Sequence, residues 1–162
     1  MNQQTIDDYE AGGTKLEQAI RGLTRDDLLA PPPPEADDVG KWTIQQVVLH
    51  LCDSELVYAD RMKRVIAEDN PTLQGYDENK WVAGLHYAEQ DAEDAIALLS
   101  TVRRQMARVL RKLPESAFAR AGTHTEYGRR TLAQLVEGAV KHVDHHLSFI
   151  HKKRAAMGKE MW

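Results

Sequence analysis

The sequence is poor in several things, and each shortage excludes something. It has one cysteine, Cys52, so an intramolecular disulfide, a Cys-x-x-Cys redox pair and a four-cysteine zinc site are all out of reach. Its longest unbroken apolar run is the five residues Ala95–Leu99, far short of a bilayer span. Basic residues are outnumbered, with 21 Lys and Arg against 25 Asp and Glu, so the positive field that a phosphate backbone requires is missing and nucleic acid is not an expected partner. There is no Gly/Ser linker, no internal repeat, and no stretch of period-two alternation long enough to predict a strand. The first ten residues are polar and acidic, unlike a signal peptide, and the expected location is the cytoplasm. A chain of 162 residues with 42% apolar and 28% charged residues can bury a core of its own, and residues 1–162 are read as a single domain.

What the sequence does have is helical periodicity. The first amphipathic stretch runs from about Gln3 to Leu23, with Gly12-Gly13 weakening its middle. The second starts at Thr43, where Thr43 and Gln46 form a capping box, and buries Val47, His50, Leu51, Ser54, Tyr58, Met62 and Val65. A third runs from about Ala88 to Leu113, stopped by Pro114. The fourth starts at Thr131, again with a Thr-x-x-Gln box, and its stripe includes Leu135, Val136, Ala139, His142, Val143, His146, Leu147 and Ile150. Pro31–Pro34 reads as a short polyproline connector. The expected fold is all-α, a four-helix bundle. The long connections at about Thr24–Trp42 and Pro114–Arg130 suggest an up-up-down-down topology with two crossovers, which makes the second and fourth helices antiparallel.

The seven histidines are unevenly placed, four of them between His142 and His151. His142 and His146 are four apart, so their side chains share a helix face, and that face is the apolar stripe. His50 lies in the stripe of its own helix, roughly 10 Å past its cap, and His146 lies roughly 12 Å before the expected end of the last helix. In antiparallel helices these depths nearly match, and three imidazoles converge. Neutral imidazoles inside an apolar core are costly unless their nitrogens find partners, and a divalent ion supplies one. Three protein nitrogens leave a coordination position open, as catalytic sites do. Zinc, nickel, copper and iron all suit such ligands. A two-His, one-carboxylate set using Asp53 is an alternative, although Asp53 is better placed as an outer acceptor or a base. His124 and Glu126, on an expected loop between Gly122 and Gly128, are candidates for proton transfer beside the ion or for plain surface. Cys52 is read as buried and inert. Trp42 and Trp81 are read as packing anchors, Tyr58 as core with a hydroxyl near the pocket, and the basic run His151–Arg154 as a helix C-terminus complementing its dipole.

These residues carry a resemblance. Trp42-Thr43-Ile44-Gln45-Gln46-Val47-Val48-Leu49-His50-Leu51-Cys52-Asp53-Ser54-Glu55 resembles the first signature of the DinB-like (YfiT-like) superfamily, and Lys141-His142-Val143-Asp144-His145-His146-Leu147 resembles its second, a His-x-x-x-His on the last helix. Tyr76–Trp81 and His124-x-Glu126-x-Gly128 are similar to its middle segment and to its loop before the last helix. The resemblance spans roughly residues 40 to 152. It implies an up-up-down-down bundle with one divalent ion on His50, His142 and His146; zinc or nickel is the expected ion, ahead of iron or manganese. It implies a small-molecule substrate and a metal-dependent hydrolase that uses activated water. Alternatively, it implies a transferase or isomerase working with a low-molecular-weight thiol such as bacillithiol, mycothiol or glutathione. It also implies a homodimer. His145 is a competing ligand by spacing, with His146 better centred on the stripe. A bundle that binds metal or a small ligand without turnover is the non-enzymatic alternative.

Overall fold

The computed structural model describes residues 1–32 and 38–160. Its helices are α1 (Gln3–Ile20), α2 (Arg25–Leu29), α3 (Ile44–Ala67), α4 (Glu78–Gly84), α5 (Ala92–Leu110) and α6 (Leu132–Ala156), with a 3-10 segment at Glu115–Ala119. The strands β1 (Thr72–Leu73), β2 (Ala121–His124) and β3 (Gly128–Thr131) form a small sheet in that order, β1 parallel to β2 and β2 antiparallel to β3.

Local chemistry sets the helix ends. The capping boxes at Thr43–Gln46 and Thr131–Gln134 both form. α1 stops at Ile20, before the expected Leu23, because Gly22 turns left-handed at φ 77°. α5 starts at Ala92, after the expected Ala88, because Asp91 caps it and His86 holds a positive φ of 52°. No strand was expected, since two- and four-residue strands hold too few alternations to show a period. Pro31 and Pro32 belong to no regular element, and Pro33 and Pro34 of the expected polyproline connector lie outside the described residues.

α1, α3, α5 and α6 make a four-helix bundle in which α1 and α3 each pack against α5 and α6, so α1 and α3 are diagonal. Cross-helix pairs fix the directions. Arg111 just past α5 meets Asp7 near the start of α1 at 2.6 Å, so these two run antiparallel. Lys15 meets Asp144 at 2.9 Å and Arg154 reaches the Ala19 carbonyl at 3.0 Å, so α1 and α6 run parallel. Gln45 donates to the Gln90 carbonyl at 2.6 Å and Arg103 pairs with Glu55 at 2.7 Å, so α3 and α5 run parallel. Trp42 stacks on His146 while Tyr58 lies against Gly138, so α3 and α6 run antiparallel.

The topology is therefore up-down-down-up, not up-up-down-down, although the antiparallel α3 and α6 stand as expected. The physical reason is the path of residues 68–91. This segment, carrying β1 and α4, climbs the side of the bundle so that α5 can restart beside the beginning of α3. The described parts of the two connections expected as crossovers instead lie at opposite ends of the bundle. One ties to α6 through Lys153 donating to the Val39 carbonyl, and the other becomes the β2–β3 hairpin.

The core forms two apolar clusters. One gathers Leu16, Val47, Leu51, Leu99 and Ile150, and the other gathers Ile6, Met62, Met106, Leu132 and Val136. Lys153 and Arg154 are buried, and Arg154 also reaches the Arg21 carbonyl at 2.9 Å. The basic end of α6 thus caps the carbonyl end of α1 as well as complementing its own dipole.

Candidate metal centre

His50 projects inward from α3, while His142 and His146 project from adjacent turns of α6. Their ring centroids lie 5.1, 4.8 and 4.6 Å apart, and each ring offers one nitrogen within 4.8 Å of the others. His50 is buried and the other two are half-buried. Burial first, and neighbouring imidazoles second, hold all three well below the ordinary histidine range, at about 3. At neutral pH the rings are uncharged, the form that donates a lone pair to a cation.

The donor set fits a divalent ion. Nε2 of His50 and Nε2 of His142 are 3.2 Å apart. Two nitrogens bonded at 2.0–2.1 Å to one tetrahedral ion stand roughly 3.3 Å apart. Nδ1 of His50 and Nδ1 of His146 are buried with no partner among the described residues.

The histidines open onto a cleft of about 230 Å³. α3 contributes Ser54, Tyr58 and Arg61 to its walls. The Ser54 hydroxyl lies 2.5 Å from the Tyr76 hydroxyl and 3.4 Å from His50 Nε2, linking the ascending segment to the histidines. The hairpin contributes His124 and Glu126. His124 ends β2 rather than sitting in a loop, and it is buried, with β1 fixing its place through the Leu73 pairing. Its Nδ1 accepts the backbone N–H groups of Glu126 and Tyr127 at 3.1 and 3.4 Å, which puts the ring proton on Nε2. Burial, then the nearby Arg61 charge, lowers its pKa. Glu126 folds over Gly75, where a Cβ would come within 2.5 Å of its carboxylate. A larger groove of about 670 Å³ between α1 and α5 is lined by neither histidine nor cysteine, so volume does not locate the chemistry.

Other expected residues fall elsewhere. Asp53 does not line the cleft; its carboxylate accepts the Tyr87 hydroxyl, and the alternative two-His, one-carboxylate set does not form. His145 is exposed, its ring 4.7 Å from that of Phe149, so the structure brings in His146 and not His145. His86 and His151 are exposed and apart from the cluster. Cys52 is buried, its thiol pushed up to about 11 mainly by burial, as an inert cysteine should be. Trp42 does more than anchor: it stacks on His146 at 6.1 Å, lies 4.8 Å from His50 and lines the cleft.

Sequence reading assigned no role in the cleft to Ser54, Arg61 or Tyr76, and it did not find a buried network next to the histidines. Arg103 is 1% exposed and donates from Nε to Glu55 at 2.7 Å, from Nη1 to the Tyr9 carbonyl at 2.8 Å and from Nη2 to the Ala139 carbonyl at 2.9 Å. Tyr9 donates its hydroxyl to the other Glu55 oxygen. Gly12 makes room, since a Cβ there would lie 1.9 Å from Nη1 of Arg103. The mid-helix Gly12-Gly13 pair, read as a weakness, was the available signal for a large group arriving from another helix.

Comparison with known proteins agrees with this architecture. The model of the DinB superfamily matches residues 8–150. The chain is 31% identical over 145 residues to the Bacillus subtilis protein named "Putative metal-dependent hydrolase YfiT", covering 89% of this chain and 79% of that one. It is 32% identical over 111 residues to an Oceanobacillus iheyensis protein with the same functional description, covering 68% of this chain and 64% of that one. The solved structure of Bacillus subtilis YfiT, titled "a probable metal-dependent hydrolase with an unusual four-helix bundle topology", matches with a TM-score of 0.87 at 29% identity over 96% of this chain and 86% of that one. A mycothiol-dependent maleylpyruvate isomerase shares the fold, with a TM-score of 0.69 at 10% identity over 93% of this chain and 61% of that one. With its family model matched over most of its length and its paired histidine signatures folded into one cluster, the chain belongs to the DinB superfamily.

Proposed function

We propose that this protein is a divalent-metal-dependent hydrolase of small molecules, with His50, His142 and His146 holding one ion. The observation that carries the proposal is the meeting of three neutral imidazoles from two helices at the floor of a cleft. The names of the relatives support it. Zinc or nickel is the proposed ion, with iron or manganese as substitutes. When bound, the ion supplies Lewis acidity and an activated water at neutral pH.

The chain's own groups do the rest. Trp42, stacked on His146, forms one side of the site. Ser54 and Tyr76 hold the cleft face of His50. His124 carries its proton on Nε2 and in this scheme offers that N–H as a hydrogen bond to an oxygen that gains negative charge. Glu126, which also lines the cleft, accepts a proton in this scheme and returns it to solvent. Asp53, occupied by Tyr87, has no part in this scheme.

Elemental analysis of the purified protein tests the first half, with about one equivalent of metal expected. A hydrolysis screen of the metal-loaded protein with and without small thiols tests the second. Turnover that needs no thiol supports hydrolysis, and turnover only with a thiol replaces it with thiol transfer. The homodimer implied by the family resemblance is tested separately by light scattering.

A further inference from the structure

Among the described residues, Arg61 is the one buried cation that lines the histidine cleft, and it is 9% exposed. Nη2 donates to the Gln74 carbonyl at 2.6 Å, and the Tyr58 ring lies 5.9 Å from the guanidinium carbon. Nε is buried without a partner. Among the described residues no carboxylate lies within 4.0 Å of it: Asp60 is taken by Arg64 at 2.8 Å, and Glu126, over the neighbouring Gly75, acts on it only at longer range. Arg103 has Glu55 as counter-ion, and Arg154, away from the cleft, spends its guanidinium on the Ala19, Arg21 and Lys159 carbonyls, whereas Arg61 has one carbonyl and an open cleft. Guanidinium groups stay protonated in proteins, and a buried charge without an opposite charge is costly. A fold that keeps one beside its reaction cleft has a place for an anion.

We propose that Arg61 is the anion subsite of this cleft and that the substrate is a small carboxylate. Its carboxylate meets the guanidinium and its other end points to the histidines. The orientation of that second end rests on the hydrolase reading above; the anion subsite itself does not. A planar two-oxygen group suits the guanidinium fork. Glu78 and Glu126 also line the cleft, and they oppose a dianionic phosphate more than a monoanion. Tyr58 and Tyr76 provide flat walls for the body of the molecule.

Calorimetric titration at pH 7.5 with benzoate, benzamide and phenyl phosphate tests this, on both metal-stripped and zinc-loaded protein. Stripped wild-type protein should bind benzoate at least about tenfold tighter than benzamide, the size of one charge-assisted contact. Arg61→Gln, which can still donate to the Gln74 carbonyl, should reduce the preference to less than about twofold while zinc uptake stays unchanged. Arg61→Lys should retain part of the preference, and it stands in if Arg61→Gln fails to fold. Equal binding of benzoate and benzamide by the wild type overturns the subsite, and so does a preference that survives Arg61→Gln. Tighter binding of phenyl phosphate overturns the carboxylate assignment. If the wild type takes up no zinc yet its benzoate preference follows Arg61, the hydrolase reading fails and the subsite stands.

Discussion

Two neighbouring levels of the bundle bury polar groups, and they treat them in opposite ways. In one, Arg103, Glu55 and Tyr9 satisfy each other and two backbone carbonyls, with a glycine cut away to admit the guanidinium. In the other, His50, His142 and His146 face one another with two ring nitrogens orphaned. A closed network of this kind holds helices in register. An open one is complete only with something added. The first joins α1, α3, α5 and α6, and its bond to the Ala139 carbonyl lies three residues before His142, so the closed level places the open one.

The largest effect should come from breaking the closed level. Arg103→Met leaves the Glu55 carboxyl, already pushed upward by burial, without its counter-ion and should cost roughly 3–5 kcal/mol in urea denaturation. Adding Glu55→Gln should recover part of that loss. Breaking the open level should act through the metal instead. Wild-type protein in zinc at about 100 times Kd should gain about 2.7 kcal/mol over its metal-free form. His50→Ala, His142→Ala and His146→Ala should each lose that gain and the bound metal, while His145→Ala, His86→Ala and His151→Ala should keep both.

The same histidines should make the metal-free fold sensitive to acid. Their pKa values fall from about 6.5 unfolded to about 3 folded. Between those values the unfolded chain binds more protons, so the stability they allow is complete above about pH 6.5 and drains away as pH drops toward 3. His50→Gln should flatten this slope in metal-free unfolding curves; an unchanged slope would show that the rings are not buried neutral. Gly12→Ala, which pushes a methyl into Arg103, should cost about 1–3 kcal/mol by thermal denaturation. Asp144→Asn removes an exposed pair with Lys15 outside both levels and should cost no more than about 1 kcal/mol, serving as the control.

What could be read in the sequence was local. Capping boxes, i to i+4 histidines and apolar stripes are written in adjacent residues, so the helices and the three converging rings were legible. The directions of α1 and α5 were not, because they depend on which connection crosses the bundle, and the one that does, residues 68–91, carries only a two-residue strand and one short helix. Arg61, Ser54 and Tyr76 were missed for a related reason. An arginine on a helix looks solvated until Gln74 and Tyr58 are seen to enclose it. Glu55 stood inside a recognised signature, yet its meaning required Arg103 from a helix 48 positions away. Asp53 pairs with Tyr87, a partner that its nearness in sequence to His50 did not reveal.

The pairing of β1 with β2 has one more consequence. It stitches the ascending segment to the hairpin, so the two non-helical walls of the cleft are fastened to each other, and neither belongs to the four-helix frame that carries the imidazoles. Insertions or substitutions there can reshape the cleft while the three imidazoles stay put. In that sense the bundle is a fixed socket, and the stitched pair is the exchangeable faceplate through which selection can retune the substrate.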